Sequence, residues 1–311
     1  MMDKSIKEIH EALVSGKVTS GKLVEEALRK SHEVEDKYNA FVTILDDAEA
    51  KDVSESLVSG IPFGVKDNYS TKDVLSTGSS NTLKNYVPFY TATVVQRLMD
   101  AGAIMVNKTA LDEFGMGGTG TTPHTGAVLN PWDQTRMCAG SSAGSACAVA
   151  SGVYPFALGS DTGDSIRKPA AYCGIVGYKP TYGMLSRYGL FPFASSLDHC
   201  GILTRSVEDA AIVTDIMKGI DDHDMTSWDS SHIHLQEALT GNIEGKKLFY
   251  IKEICDIHNY PNASDTLKEH LNNFFKTLEL LKTKGVTVEE VSIDSKLLNA
   301  IASVYVVISC A

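Results

Sequence analysis

The sequence predicts an α/β fold with a mixed or mostly parallel β-sheet, because short apolar runs alternate with helical patterns along its 311 residues. The runs IPFGV, AIMV and VYPFALG read as strands, and Gly, Pro or polar residues bound them. Hydrophobic residues make up 43% of the chain, enough for a sizeable core. No internal repeat or low-complexity linker divides it. We therefore predict a single domain over residues 1–311.

The first part of the chain is predicted to hold helices and two strands. Apolar residues at helical spacing mark a first helix, which Gly16 ends, and a second helix begins at Thr19. A third, polar helix is predicted over residues 46–58. The strand IPFGV then ends at Lys66, and a helix over about 91–101 leads into the strand AIMV.

The later elements follow the same alternation. The small-residue run AGSACAVASG predicts a tightly packed helix, and the strand VYPFALG comes directly after it. An amphipathic helix from about Leu267 to Leu278 separates the strands KKLFYI and VTVEEVSI. The chain stops inside the apolar run SVYVVISCA, which we predict to be a core strand buried on both faces. We expect the sequence to be a fragment, incomplete at the C-terminus.

The composition excludes some classes of function. The net charge of −11 argues against a dominant nucleic-acid surface, since phosphate binding needs clustered Lys and Arg. No apolar run is long enough to cross a membrane, and the N-terminus lacks a signal-peptide core. The 6 cysteines form no CxxC motif. We expect a reduced, cytoplasmic environment.

Two serine-rich loops are the candidates for chemistry. Ser141 lies in AGSSAGSA and Ser165 in SDTGDSIR, 24 positions later. Serine is a weak nucleophile until a base takes its proton, and neither loop contains a histidine. A buried lysine can serve as a neutral base because burial lowers its pKa. Lys66 follows a buried-looking strand, so Lys66, Ser141 and Ser165 are predicted to form a proton relay.

Four segments together resemble the amidase signature family: GVKDN, CAGSSAGSACAVASG, LGSDTGDSIRKPAA and GYKPTYGMLSRYGLFPFASSLDHCGILTRSVEDAA. The likeness runs over nearly the whole chain. Within the family, the last segment looks most like the A subunits of tRNA-dependent amidotransferases, which hydrolyse glutamine and pass ammonia to a partner. The resemblance implies an amidase-signature fold, a central twisted mixed β-sheet flanked by helices on both faces.

The resemblance also implies a role for each residue of the relay. Ser165 is the nucleophile that forms the acyl-enzyme. Ser141 is the bridging serine, held after a cis peptide bond from Gly140. Lys66 is the general base and then the acid that protonates the leaving ammonia.

Further site residues follow from the same resemblance. The backbone N–H groups of Thr162, Gly163, Asp164 and Ser165 form the oxyanion hole, because small residues let several amides converge. Two residues are expected to contact the substrate, Gly117 and Tyr305. No metal is expected.

The sequence departs from the family pattern at several positions. Ala139 and Ala143 stand where the family usually has Gly, Asp164 stands in place of Gly in TGGS, and Lys168 replaces Gln in IRQP. The carboxylate of Asp164 would weaken the oxyanion site unless its side chain points away. These departures concern the efficiency of the reaction.

Partners and cofactors are implied by resemblance alone. The substrate is glutamine, and this chain binds no cofactor. A partner subunit uses ATP and Mg, and tRNA binds only through that partner. The complex consists of this chain with subunits B and C, and no membrane is involved.

Alternative interpretations stay open. A free-standing amidase acting on another amide is one, and a catalytically dead scaffold is another. Gly140–Gly144 also fits the G-x-S-x-G elbow of an α/β-hydrolase esterase using Ser142, although His199 and Asp161 come in the wrong order for that fold. The motif from Gly115 to Gly120 matches a dinucleotide fingerprint but opens no predicted helix, so a loop near the site is favoured.

Overall fold

The computed structural model describes residues 1–310 and divides the chain into two compact units, Met1–Ala238 and Leu239–Ala311. The first unit contains both serine loops and Lys66. The prediction that residues 1–311 form one amidase domain stays a prediction.

The first unit is built of helices and one sheet. Its helices are α1 (Ile6–Val14), α2 (Ser20–Tyr38), α3 (Thr93–Asp100), α4 (Ala143–Ala150), α5 (Arg167–Tyr172), α6 (Val207–Met217) and α7 (Leu235–Ala238). Its strands are β1 (Phe41–Ile44), β2 (Pro62–Lys66), β3 (Ile104–Thr109), β4 (Phe156–Asp161), β5 (Val176–Tyr178) and β6 (His199–Thr204). Short 3₁₀ turns occur at Asn81–Leu83 and Glu113–Gly115.

The strands of this unit form one mixed sheet in the order β1-β3-β2-β4-β6-β5. Strand β2 is parallel to both of its neighbours, β3 and β4. The pairs β1–β3, β4–β6 and β5–β6 are antiparallel. The two central strands β2 and β4 therefore end at the same edge of the sheet, where Lys66 and Asp161 are their last residues.

Helices cover both faces of the sheet. Successive strand residues point to opposite faces, so Leu158 packs in a core with residues of α1, α3 and α6, while Ala157 packs with residues of α2, α4 and α5. Helix α4 lies very close to the strands, since a Cβ on Gly144 would lie 2.1 Å from the carbonyl oxygen of Ala40. The predicted fold, a central mixed sheet flanked by helices on both faces, is confirmed.

The second unit contains a parallel pair of strands, β7 (Lys247–Ile251) and β8 (Thr287–Val291). Its helices are α8 (Lys252–Cys255), α9 (Asp265–Thr283) and α10 (Ser295–Cys310), with a 3₁₀ turn at Ile257–Asn259. The predicted strands KKLFYI and VTVEEVSI and the amphipathic helix between them are present as β7, β8 and α9.

Two sequence predictions about secondary structure were wrong. Residues 303–310 of the run SVYVVISCA form the end of α10, not a buried strand, and most of their apolar side chains are exposed. Ala311 lies outside the described residues. The helix-forming run SKLLNAIA starts this helix, and the β-branched residues continue it. Residues 46–58 are irregular, because Ser59 Oγ accepts from the Ser54 N–H at 2.9 Å and donates to the Asp52 carbonyl at 3.3 Å, bonds that compete with a helix.

Candidate active site

Two strand ends and two loops bring the candidate residues together. Lys66 ends β2, and Ser160 and Asp161 end the neighbouring β4. The peptide bond from Gly140 to Ser141 is cis, as the family resemblance implied. It lies just before α4, and the turn that carries Ser165 lies just before α5.

The side chain of Lys66 is completely buried, and its amino group lies among hydroxyl groups. Its Nζ is 2.8 Å from Ser141 Oγ and 2.8 Å from Ser160 Oγ. It also lies 3.3 Å from the carbonyl oxygen of Ser160. Asn68 Nδ2 donates to the same Ser160 hydroxyl at 2.9 Å and thereby fixes its position. The predicted link between Lys66 and Ser141 is thus within hydrogen-bonding distance.

Burial lowers the pKa of Lys66 to about 7, because the charged form loses its hydration. The charges of Asp161, Asp112 and Asp198 act in the opposite direction, but none of these carboxylates makes an ion pair with Lys66 within residues 1–310. A pKa near neutrality leaves a large fraction of the lysine as the free amine. Lys66 can therefore accept a proton at physiological pH.

The turn that carries Ser165 is held by the carboxylate of Asp161. Asp161 is buried and accepts from the Ile166 N–H at 3.1 Å. Its two oxygens also accept from Arg167, from Nε at 3.1 Å and from Nη2 at 3.0 Å. Burial alone raises the pKa of Asp161, but the bonds from Arg167 and the Ile166 N–H bring it below its ordinary value. Asp161 therefore stays ionised and clamps the turn.

The other side of the turn is held by Asp198. Thr162 Oγ1 donates to Asp198 Oδ1 at 2.6 Å, and the backbone N–H groups of Phe193 and Ala194 donate to the same carboxylate. By contrast, the backbone N–H groups of the turn (Thr162, Gly163, Asp164 and Ser165) donate to no acceptor within the described chain. Unpaired N–H groups beside a candidate nucleophile are what an oxyanion hole requires. Their role as an oxyanion hole stays a prediction.

A glycine-rich loop over residues 115–126 is folded around Asp112. The carboxylate of Asp112 accepts from four successive backbone N–H groups of this loop, those of Thr119, Gly120, Thr121 and Thr122. A Cβ on Gly117 would lie 2.7 Å from Asp112, so this position requires glycine for packing. No helix opens after Gly120, so the dinucleotide motif lies in a loop. The proposed contact of Gly117 with substrate stays a prediction.

The two serine loops are joined through the backbone. The N–H of Ser142 donates to the carbonyl of Ser165 at 3.1 Å. Within residues 1–310 no hydrogen bond joins the hydroxyls of Ser141 and Ser165, so only the first link of the predicted relay is present. Catalytic hydrogen bonds are often longer in a resting site and shorten when substrate binds. Ser165 is 5% exposed, and its hydroxyl makes no hydrogen bond within residues 1–310.

Ser142 has surroundings that do not fit the esterase alternative. Its hydroxyl is buried and lies 3.3 Å from both the N–H and the carbonyl oxygen of Ser160. His199 instead donates from Nδ1 to the Leu197 carbonyl at 2.6 Å. A nucleophile elbow needs a strand directly before the serine, but the residues before Ser142 form no strand. The local geometry thus favours Ser165 over Ser142.

The two departures from the family pattern at this turn contact each other. Lys168 Nζ lies 2.9 Å from Asp164 Oδ2, as an i,i+4 ion pair. The carboxylate that the sequence placed beside the oxyanion site is therefore compensated. A Cβ on Gly118 would lie 2.6 Å from Lys168 Nζ, so the ion pair lies against the glycine-rich loop.

Sequence reasoning missed Ser160, Asn68, Asp112 and Asp198 as members of the site. Ser160 was detectable, because it is a polar residue at the end of the apolar run VYPFALGSD. Asp112 and Asp198 act on backbone N–H groups of distant loops, and Asn68 acts through the hydroxyl of Ser160. Tyr305 lies on α10 in the second unit, and its role stays a prediction.

A buried lysine joined to one serine, beside a second serine at a turn lined with free amides, is the arrangement of serine hydrolases that use a lysine as base. No group of three or more potential metal ligands occurs among residues 1–310. In the same part of the chain, no helix has the length and apolar character to cross a membrane.

Comparison with known proteins identifies the family. A family model described as Amidase matches residues 22–311. The chain is 42% identical to the A subunit of glutamyl-tRNA(Gln) amidotransferase from Enterococcus faecalis over 99% of its length, and 43% identical to the same protein of Geobacillus thermodenitrificans over 94%. It spans 63% and 61% of those relatives. The chain belongs to the amidase family, as its resemblance to the amidase signature predicted.

Solved structures agree with this assignment. The crystal structure of the A subunit of glutamyl-tRNA(Gln) amidotransferase from Thermotoga maritima superimposes with a TM-score of 0.86 at 35% identity, over 99% of this chain and 65% of that one. The peptide amidase of Stenotrophomonas maltophilia gives a TM-score of 0.81 at 26% identity, over 93% of this chain and 62% of that one.

Proposed function

We propose that this chain carries the catalytic relay of a glutamine amidohydrolase that supplies ammonia within a tRNA-dependent amidotransferase. The observation that carries the proposal is the 2.8 Å contact between Ser141 Oγ and a buried Lys66 whose pKa is lowered to about 7. The Ser165 turn lies next to that contact and has unpaired backbone N–H groups. The names of the relatives from Enterococcus and Thermotoga support the choice of reaction.

The proposed chemistry proceeds through an acyl-enzyme. Ser165 Oγ attacks the carbon of the glutamine side-chain amide, and its proton passes through Ser141 to Lys66 Nζ. The negative charge that develops on the amide oxygen is stabilised by the free N–H groups of the turn. The C–N bond then breaks, and ammonia leaves with the proton that Lys66 returns through Ser141. A water molecule hydrolyses the glutamyl ester, giving glutamate and free Ser165.

The proposal extends to the assembly. We place the chain in a complex with amidotransferase subunits B and C, in which the partner subunit uses ATP and Mg and contacts tRNA. The net charge of −11 supports tRNA contact through a partner, since this chain has no general excess of basic residues. The chain itself binds no cofactor, and the complex acts in the cytoplasm. The overall reaction is the formation of a carbon–nitrogen bond with glutamine as amide donor.

A second candidate is a free-standing amidase with another amide as substrate. The structural similarity to a peptide amidase at a TM-score of 0.81 favours it specifically. Both candidates use the same relay, and they differ in the substrate. Comparing ammonia release from glutamine with release from peptide amides separates them.

The test uses the full-length protein and two serine variants. We expect Ser165→Ala to lower ammonia release from glutamine by at least about 10³-fold, and Ser142→Ala to retain most of it. The reverse pattern would contradict the relay and support the esterase-type elbow. If the wild-type protein released no ammonia from any amide, either by itself or with its partners, the catalytically dead scaffold would be favoured.

A further inference from the structure

The ion pair between Asp164 and Lys168 is a feature that the proposed reaction does not use. Asp164 is the residue directly before Ser165, and its N–H is one of those predicted to form the oxyanion hole. Its carboxylate lies within about 5 Å of that N–H by covalent geometry alone. A negative charge at such a distance opposes the negative charge that develops on a substrate oxygen.

The structure shows how this conflict is resolved. Asp164 Oδ2 lies 2.9 Å from Lys168 Nζ, and the backbone N–H of Lys168 also donates to the Asp164 carbonyl at 2.8 Å. The side chains are 49% and 32% exposed. The Asp164 side chain is thus turned along α5 towards the lysine, and the net charge of the pair is zero.

The neighbouring charged residues do not provide this compensation. Arg167, between the two in sequence, directs its guanidinium to both oxygens of Asp161 and to the carbonyl of Gly163. Within residues 1–310, Lys168 is the cation that makes an ion pair with Asp164. Its Nζ also lies against Gly118 of the glycine-rich loop.

We propose that Lys168 is a positioning residue that neutralises Asp164 and turns its carboxylate away from the oxyanion site. Lys168 acts on the reaction only through Asp164. Loss of the lysine is therefore harmful because it leaves a negative charge unpaired beside the oxyanion site, whereas loss of the carboxylate leaves a positive charge that does not oppose the oxyanion. The proposal rests on the proposed acyl-transfer chemistry at Ser165 but not on glutamine as the substrate.

The experiment is a double-mutant cycle on the full-length protein with two readouts. One readout is kcat and KM for ammonia release from glutamine. The other is the rate at which phenylmethylsulfonyl fluoride, a small neutral reagent that sulfonylates active serines, modifies Ser165, followed by mass spectrometry. The variants are Lys168→Gln, Asp164→Asn and the double variant, with Lys268→Gln of the Lys268–Asp265 pair in the second unit as the matched control.

We expect Lys168→Gln to lower kcat and the labelling rate about tenfold with little change in KM, because the unpaired carboxylate acts on the transition state. The double variant should recover most of that loss, and Asp164→Asn alone should cost less than Lys168→Gln. Higher salt should reduce the defect of Lys168→Gln by screening the free carboxylate. Lys268→Gln should have no effect.

An equal loss in Lys168→Gln and in the double variant would overturn the proposal, since the lysine would then act independently of Asp164. Wild-type rates in Lys168→Gln would overturn it as well. The labelling rates could show the expected pattern across the three variants while the protein releases no ammonia from glutamine. That result would support the role of the ion pair and contradict glutamine as the substrate.

Discussion

Lys66 and Lys108 are two fully buried lysines on neighbouring parallel strands, and their surroundings differ in one decisive way. Lys108 pairs in register with Val65 and Lys66 with Thr109, so the two side chains point to opposite faces of the sheet. Lys66 Nζ contacts the hydroxyls of Ser141 and Ser160. Lys108 Nζ has a carboxylate, Asp67, at 3.7 Å.

The remaining partners of Lys108 complete a cage for a cation. Its Nζ donates to the Tyr69 carbonyl at 2.6 Å, to Ser76 Oγ at 2.7 Å and to Thr71 Oγ1 at 3.2 Å. Burial lowers the pKa of Lys108 to about 8, with Asp67 acting against the shift. Burial also raises the pKa of Asp67, and Lys108 opposes that change. The two lysines are equally buried, but a carboxylate near Lys108 favours its charged form, whereas the groups in contact with Lys66 are neutral.

The largest expected effect is on turnover at Lys66. Lys66→Ala should lower ammonia release by about 10³–10⁴-fold, because within residues 1–310 Lys66 is the base that is hydrogen-bonded to Ser141. Lys66→Arg should not restore activity, since a guanidinium stays protonated throughout the accessible pH range. The measurement is kcat on the full-length protein, with circular dichroism to show that each variant is folded. Near-normal rates in the arginine variant would show that Lys66 is structural.

The next prediction compares the same substitution at the two lysines. Lys108→Met should lower the free energy of unfolding by about 3–5 kcal/mol, because it leaves the buried Asp67 without its cation. Urea unfolding at pH 7 measures the difference. Adding Asp67→Asn to Lys108→Met should recover part of the loss. A stability loss below that of an exposed control substitution would contradict the cage interpretation.

Lys66→Met should change stability in the opposite direction. The folded-state pKa of about 7 lies below the ordinary value of 10.5, so folding releases the proton between these pH values. The stability penalty of Lys66 is greatest at and below pH 7 and decreases as the pH rises towards 10.5. The free energy of unfolding of the methionine variant should therefore be about 1–2 kcal/mol higher at pH 7. This figure includes the loss of the contacts with the two hydroxyls. A destabilised methionine variant at pH 7 would show that Lys66 is held as a cation.

A smaller effect is expected at Ser160, one of the four residues that sequence reasoning missed. Ser160→Ala removes an acceptor 2.8 Å from Lys66 Nζ and so disfavours the charged lysine. We expect turnover to fall by about 3–10-fold and the acidic limb of the pH–rate profile to shift to lower pH by less than about one unit. Ser151→Ala, on the residue that follows α4, serves as the control. An unshifted limb would mean that Ser160 has only a packing role.

Local sequence pattern was enough to propose the residues of the relay, and the structure places Lys66 within hydrogen-bonding distance of Ser141. Lys66, Ser141 and Ser165 lie directly after a strand or beside runs of small residues, and such runs have a clear structural meaning. The mixed sheet followed from the alternation of strands and helices. Asp112 and Asp198 could not be predicted, because their partners are backbone N–H groups of loops whose course depends on the whole fold. The strand prediction for residues 303–310 failed because the helix that begins in the preceding residues continues to Cys310.

The departures at Asp164 and Lys168 show the same limit from the other side. In the sequence, each departure by itself predicts a less efficient reaction, whereas in the structure the two side chains form an ion pair at 2.9 Å. Their spacing of i,i+4 would have allowed that pairing to be predicted, provided that the turn continues into a helix at Arg167.

The central claim is that Lys66 acts as a neutral base, and the pH dependence of kcat/KM for glutamine hydrolysis tests it most directly. Below the pKa of about 7, the rate should rise about tenfold per pH unit and then level off above it, because only the free amine accepts the proton. Titration of isotopically labelled lysine side chains by NMR should assign the same pKa to Lys66, the signal that Lys66→Met removes. The account would be contradicted if Lys66 stayed protonated above pH 9 in the NMR titration and kcat/KM stayed constant from pH 6 to 9.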